Sequence, residues 1–301
     1  MKILVLGNAT DAHAAHVFQA LTEFGATVAY WDTALFPRRS RLSWYPQTAL
    51  GSIVLPDQQQ WLLEEIQSVF WRSFAGVQIP SLSEPDQEQI ALQDAMSVLR
   101  SLLHTESIRW VNSWQAYQFH KEKPRQLSQV YQLGVQIPAT LVSNDADAII
   151  RFVQQHSKVI FKPVYGGAHT QFVTPEHLDS SRLQAALSIA PATFQEYIPG
   201  TNLRSYVIGD AVYTAEIRSP DLDFRQDLSA ELIPIALPDS IHQQCLAIAR
   251  ALLLEWTAID WRLTPEGEYI FLEANPSPMF LHFERQTGYP ITQHLIQQLI
   301  C

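Results

Sequence analysis

Asp260 in TAIDWRL and Glu273 and Asn275 in EYIFLEANP are the residues of this 301-residue chain whose types and spacing point most directly to chemistry. The intervening TPEG holds turn formers, so the two apolar runs read as arms of an antiparallel hairpin. With Glu266-Gly267 as a two-residue loop, Asp260 falls directly opposite Glu273; a four-residue loop would move the pair to a diagonal. Either even-length loop leaves Asp260, Glu273 and Asn275 on one face. Two carboxylates opposed at about 5 Å repel unless a cation lies between them. All-oxygen donors of this kind suit Mg²⁺, with Mn²⁺ as the alternative.

An isolated E-x-N is more often a solvated acid at a sheet edge. Two lysines shift the balance. Lys162 interrupts the apolar run VIFKPV, where an ammonium is costly without an anionic partner. Gly166 and Gly167 follow at once and let backbone N–H groups approach phosphate oxygens. Lys123 lies in HKEKPRQL, a cluster that alone reads as a solvated face. Two cations, a glycine bend and a carboxylate hairpin together describe a metal-nucleotide triphosphate site. The chain has no GxxxxGK[ST], so the site is not a P-loop, and lone Gly7 makes no GxGxxG fingerprint.

The elements that must carry these residues alternate. KILVLG, a helix capped by Asp11 and ended by Gly25, and TVAYWD form a βαβ opening. Strands near 51–55 and 68–72 and a helix over 84–104 complete a first domain, 1–112. A helix over 114–133, a helix from about Ala146, the strand 159–164, TQFV (170–173), a helix near 178–187 and TFQEYI (193–198) follow. A hairpin at Gly209-Asp210, a helix over 239–254 and the final strand pair complete the chain.

The order Lys123, Lys162, FQEYIPG, Asp260, Glu273 and Asn275 resembles the ATP-grasp superfamily. WVNSWQAYQFHKEKPRQLSQVYQLGVQIPATLVSND, AIDWRLTPEGEYIFLEANP and FERQTGYPI are similar to the RimK-like branch, closest to graspetide (microviridin-type) synthetases. The resemblance implies a fold of mixed α/β and α+β class: a pre-ATP-grasp α/β domain (1–112), then an ATP-grasp fold of two α+β subdomains, the lid (113–192) and the metal-bearing C-terminal part (193–301).

The resemblance also implies roles. Lys123 and Lys162, with Gly166 and Gly167, would meet the phosphates of ATP. Gln195, Glu196, Tyr197 and Ile198 would form the adenine hinge, and Asp260, Glu273 and Asn275 would hold Mg²⁺. Family members transfer the γ-phosphoryl group of ATP to a carboxylate, and an amine or hydroxyl attacks the acyl phosphate. Arg204 in NLRSYVIG matches the arginine of the DIRV-like motif, and Arg218 in AEIRSP is a second catalytic candidate; a two-residue loop between their strands would put the two on opposite faces. Arg225 and Arg262 are weaker candidates. Asn202 stands where relatives often carry Asp, and NPSPMFLHFE stands where graspetide synthetases carry a small residue followed by Gly-Gln.

The function implied is an ATP- and Mg-dependent carboxylate–amine or carboxylate–hydroxyl ligase acting on a peptide or small amino-acid substrate. A small-molecule kinase on the same scaffold and a nucleotide-binding regulatory protein are the alternatives. The net charge of −10 argues against nucleic acid and anionic membrane as partners. The apolar opening is too short for a signal peptide or membrane span. Cys245 and Cys301 are too few for a disulfide framework, so a cytoplasmic protein is expected, with a homodimer as one option.

Overall fold

The computed structural model describes residues 1–301 except 75, 167, 168 and 220–229. The chain forms two compact units, Met1–Tyr117 with Leu253–Trp256 and Ser277–Cys301, and Gln118–Leu252 with Thr257–Pro276. The first opens with β1 (Lys2–Leu6), α1 (Ala12–Glu23) and β2 (Thr27–Trp31). The Asp11 carboxylate accepts from the N–H groups of His13 and Ala14 at 2.9 and 3.1 Å, capping α1. The strand expected near 51–55 is β4 (Leu50–Val54), the middle of an antiparallel meander whose outer strands, β3 (Arg41–Tyr45) and β5 (Gln60–Leu62), lie beyond the expected elements.

β6 (Ile66–Trp71) and β7 (Arg109–Val111) join the first two strands in a parallel sheet of order β2-β1-β6-β7. Residues 3–6 of β1 are all buried, as in a parallel strand covered on both faces. Between β6 and β7 runs α2 (Pro85–Leu103), which buries Ala95, Leu99, Leu102 and Leu103 at helical spacing. Trp31, Trp71 and Trp110 supply bulk to the same core.

The single helix expected over 114–133 is two, α3 (Trp114–Lys121) and α4 (Lys123–Gln132). Pro124 has no N–H to continue a helix but fits the first turn of a new one. The break sets Lys123 at the start of α4.

The second unit continues with β8 (Thr140–Ser143), α5 (Ala146–Gln155), β9 (Val159–Pro163), β10 (Gln171–Phe172), α6 (Ser180–Leu187) and β11 (Ala192–Glu196). Its strands make an antiparallel sheet of order β10-β9-β11-β8, packed through Val159 and Phe194 on Ile149, Leu183 and Leu187. A larger sheet contains β12 (Thr201–Ile208), β13 (Ala211–Arg218), β14 (Glu231–Ile235), β15 (Trp256–Leu263) and β16 (Tyr269–Asn275), in the order β14-β13-β12-β15-β16. The β12–β13 hairpin turns at Gly209-Asp210 as expected, with Ile208 paired to Ala211. Helix α7 (Asp239–Ala251) buries Cys245, Leu246, Ile248 and Ala249. After β16 the chain rejoins the first unit through α8 (Leu281–Thr287) and α9 (Ile291–Ile300). Among the described residues no helix is long and apolar enough to cross a membrane.

Candidate active site

The β15–β16 hairpin places Asp260 opposite Glu273 and Ala258 opposite Asn275. Its loop is not the two-residue Glu266-Gly267 turn. Thr264 and Glu268 close a three-residue loop, Pro265 to Gly267, through a 2.9 Å main-chain hydrogen bond, and Gly267 sits at φ +90°. An odd loop alone would send the two acids to opposite faces. The register shifts by one between Asp260 and Trp261, whose partners are Glu273 and Phe271, so Leu272 is the extra residue of a bulge. The bulge restores Asp260, Glu273 and Asn275 to one face.

Each acid is matched by a side-chain cation. Arg204, on β12, grips Asp260 with both prongs: Nε to Oδ1 at 2.7 Å and Nη2 to Oδ2 at 2.8 Å. Burial alone would weaken the Arg204 charge, but Asp260 holds its pKa above the usual value. Lys123 is bonded to Glu273. A lysine in the first turn of a helix opposes the helix dipole, so the carboxylate is what makes that position tenable. Burial would raise the Glu273 pKa; Lys123, then Lys162 and His120, outweigh it and draw the group down to about 2.

Lys162 lies on β9, where its Nζ donates to Gln195 Oε1 at 3.1 Å. Gln195 is 1% exposed and in turn donates to Thr140 Oγ1 at 2.9 Å. Gly166 has φ +109°, and a Cβ there would lie 3.7 Å from Cε of Lys123. The bend after β9 thus comes to the side of Lys123. Gly167 and Arg225 lie outside the described residues.

The segment expected to form the hinge leaves β11 along main-chain bonds: Glu196 N to the Ala139 carbonyl and Tyr197 N to the Lys158 carbonyl, each 2.9 Å. The Ile198 N–H has no hydrogen-bond partner among the described residues. Ile160, Leu272, Gln195 and Ile198 line a small cavity together with Lys162.

Arg218 is not gathered with the others. Arg204 pairs with Ala215, so Arg218 lies on the opposite face of the sheet, exposed and bonded to Glu216 at 2.9 Å. Three residues that sequence reasoning passed over or ranked low hold the site instead. Gln126, one turn after Lys123, bonds both main-chain groups of Ala274. His120, near the end of α3 and three residues before Lys123, is partly buried, and its pKa is lowered by that burial and by Lys123. Arg262, two residues after Asp260 on the same face, is 9% exposed. Their positions at i±3 from Lys123 and i+2 from Asp260 were the available signals.

A profile of the RimK-like ATP-grasp domain matches residues 120–299, and one of the MvdD pre-ATP grasp domain matches residues 2–118. The chain belongs to the RimK-like ATP-grasp family. Solved members of similar fold include macrocyclase MdnC from Microcystis aeruginosa MRC, bound with precursor peptide MdnA: 28% identity, TM-score 0.88, covering 100% of both chains. The ATP-grasp ligase PsnB, complexed with a phosphomimetic variant of its minimal precursor, Mg and ADP, has 29% identity and TM-score 0.85, covering 99% of this chain and 97% of that one. Macrocyclase MdnB from the same Microcystis has 26% identity and TM-score 0.84, covering 99% of each chain. No match was found among curated protein sequences. The α/β opening unit ahead of two antiparallel sheets is the architecture of this ATP-grasp family, whose enzymes use ATP and Mg²⁺.

Proposed function

We propose that this chain is an ATP- and Mg-dependent ligase that joins a carboxylate to an amine or hydroxyl through an acyl phosphate, on a peptide substrate. The observation that carries the reading is the opposed pair Asp260 and Glu273, surrounded within one unit by Arg204, Lys123 and Lys162. MdnC and PsnB, similar over nearly the whole chain, are bound to precursor peptides in their structures, which favours a peptide here.

The donor set fits a hard cation. Asp260 and Glu273 face each other in register and Asn275 shares their face, so Asp260, Glu273 and Asn275 would hold Mg²⁺. When bound, that ion neutralises phosphate charge during transfer. Lys123, Lys162 and the bend at Gly166 would draw the triphosphate in. Adenine would lie between Ile160 and Leu272, its N1 accepting from the Ile198 N–H. In this assignment 113–192 acts as the lid and 193–301 carries the acids.

A substrate carboxylate oxygen attacks the γ-phosphorus and ADP leaves; an amine or hydroxyl then attacks the acyl carbon, loses its proton, and phosphate departs. Arg204, held rigidly by Asp260, would face the negative charge that develops on the transferring group and on the tetrahedral intermediate. Arg218, turned to the other face, would act only through substrate. The test is incubation with Mg-ATP and candidate peptides, with hydroxylamine present. Peptide-dependent ADP release with a trapped hydroxamate supports ligation, whereas a stable phosphoester identifies a kinase.

A further inference from the structure

Arg262 is a buried guanidinium whose hydrogen-bond partners are all neutral. Its Nε donates to the Ile198 carbonyl at 3.0 Å, one Nη donates to the Asn202 side-chain carbonyl, and the other reaches the Tyr197 hydroxyl at 3.3 Å. Among the described residues no carboxylate pairs with it. A buried cation without an anionic partner is costly, and arginine is retained at such positions where its rigid fork must fix several acceptors at once. Here all three acceptors belong to the hinge or to the strand that follows it. Arg262, Tyr197 and Asn202 wall both the small cavity under Leu272 and a neighbouring cavity of about 750 Å³.

The geometry divides the hydrogen-bonding capacity of Ile198. Its carbonyl accepts from the Arg262 guanidinium, which stands across that acceptor, while its N–H has no partner among the described residues. Adenine and guanine present opposite patterns at ring position 1: adenine has a bare nitrogen that accepts, and guanine has an N–H that donates, beside a donating 2-amino group. A hinge residue that could offer its carbonyl would tolerate guanine. One that offers only an N–H meets guanine with two opposed donors, and a donor left unpaired in a buried site is penalised.

We propose that Arg262 is a specificity-determining residue, which places its positive charge against the Ile198 carbonyl and leaves the Ile198 N–H as the group offered to ring position 1, so that the site accepts adenine nucleotides and rejects guanine nucleotides. This rests on the nucleotide reading of the hinge. Arg262 acts through Ile198, Tyr197 and Asn202 and is a positioning residue.

The test is calorimetric titration of Mg-ADP and of Mg-GDP into the full chain and into Arg262→Met, with circular dichroism and a thermal melt as the check on folding. The wild type should prefer ADP, and the substitution should reduce the ratio of the two dissociation constants by about tenfold, roughly 1.4 kcal/mol. If Arg262→Met does not fold, Arg262→Lys serves, since one ammonium cannot hold three acceptors, and a several-fold fall in the ratio is expected. A folded variant that weakens both nucleotides equally, or leaves the ratio unchanged, overturns the proposal. A wild type that binds neither nucleotide overturns the nucleotide reading itself and this proposal with it.

Discussion

Gln126 exchanges two hydrogen bonds with the main chain of Ala274: its amide nitrogen donates to the carbonyl and its amide oxygen accepts from the N–H, both at 2.9 Å. A side chain of α4 thereby satisfies β16 as a neighbouring strand would. Lys123 lies one turn before Gln126 and Glu273 one residue before Ala274, so this amide fixes the distance between the lysine and the acid. Gln126→Leu should lower unfolding free energy by about 3 kcal/mol, from two buried main-chain groups left unpaired. Urea melts measure that loss, and Mg-ADP affinity should fall with it because Lys123 is no longer held.

The Arg204–Asp260 fork predicts strong coupling. Asp260→Leu removes the carboxylate that the Arg204 fork grips and should cost roughly 3–5 kcal/mol, whereas the Asp260→Leu, Arg204→Met double variant should lose less than the Asp260→Leu and Arg204→Met single changes together. Denaturation of the three variants completes the cycle. Additive losses would mean that the two charges do not depend on each other.

Glu273 makes stability pH-dependent in a stated direction. Its pKa falls from an ordinary 4.5 to about 2 on folding, with burial opposing and the charges and hydrogen bond of Lys123 prevailing. A depressed carboxyl stabilises the fold fully above its unfolded pKa and loses that contribution as pH falls through the folded one. The stability difference between wild type and Glu273→Gln should therefore be flat above about pH 5.5 and shrink from pH 4.5 toward 2. Chemical denaturation at a series of pH values reads it directly; a difference that grows on acidification contradicts the assignment.

Gly166→Ala separates backbone from space. Among the described residues a Cβ would meet nothing nearer than Lys123 Cε at 3.7 Å, but φ is +109°. The change should cost on the order of 1–3 kcal/mol, or shift the bend, through conformation alone. Loss of stability in melts, with weaker Mg-ADP binding, is expected.

Much of this site was legible because strand parity is a strict rule. The pairing of Ile208 with Ala211 could be written down from turn formers, whereas that of Asp260 with Glu273 was expected from a two-residue loop that the structure does not have. What parity could not supply was the loop. Pro265 makes a three-residue turn, and only the bulge at Leu272, which no residue type announces, returns the acids to one face. The cations were legible as residues but not as partners. Lys162 stood out as a charge in an apolar run, yet the contacts of Arg204 with Asp260 and Lys123 with Glu273 join segments 56 and 150 positions apart. Gln126, His120 and Arg262 were hidden for the same reason: a polar residue on a helix or strand looks solvated until the element it packs against is known.

The central claim is that Asp260 and Glu273 hold Mg²⁺ beneath a triphosphate drawn in by Lys123 and Lys162. The most direct test is calorimetric titration of ADP into wild type and Glu273→Gln, each with Mg²⁺ and with EDTA. The account predicts that Mg²⁺ tightens ADP binding to the wild type by tenfold or more, about 1.4 kcal/mol, and that the substitution removes this gain. A folded Glu273→Gln protein that keeps the full Mg²⁺-dependent gain would contradict it.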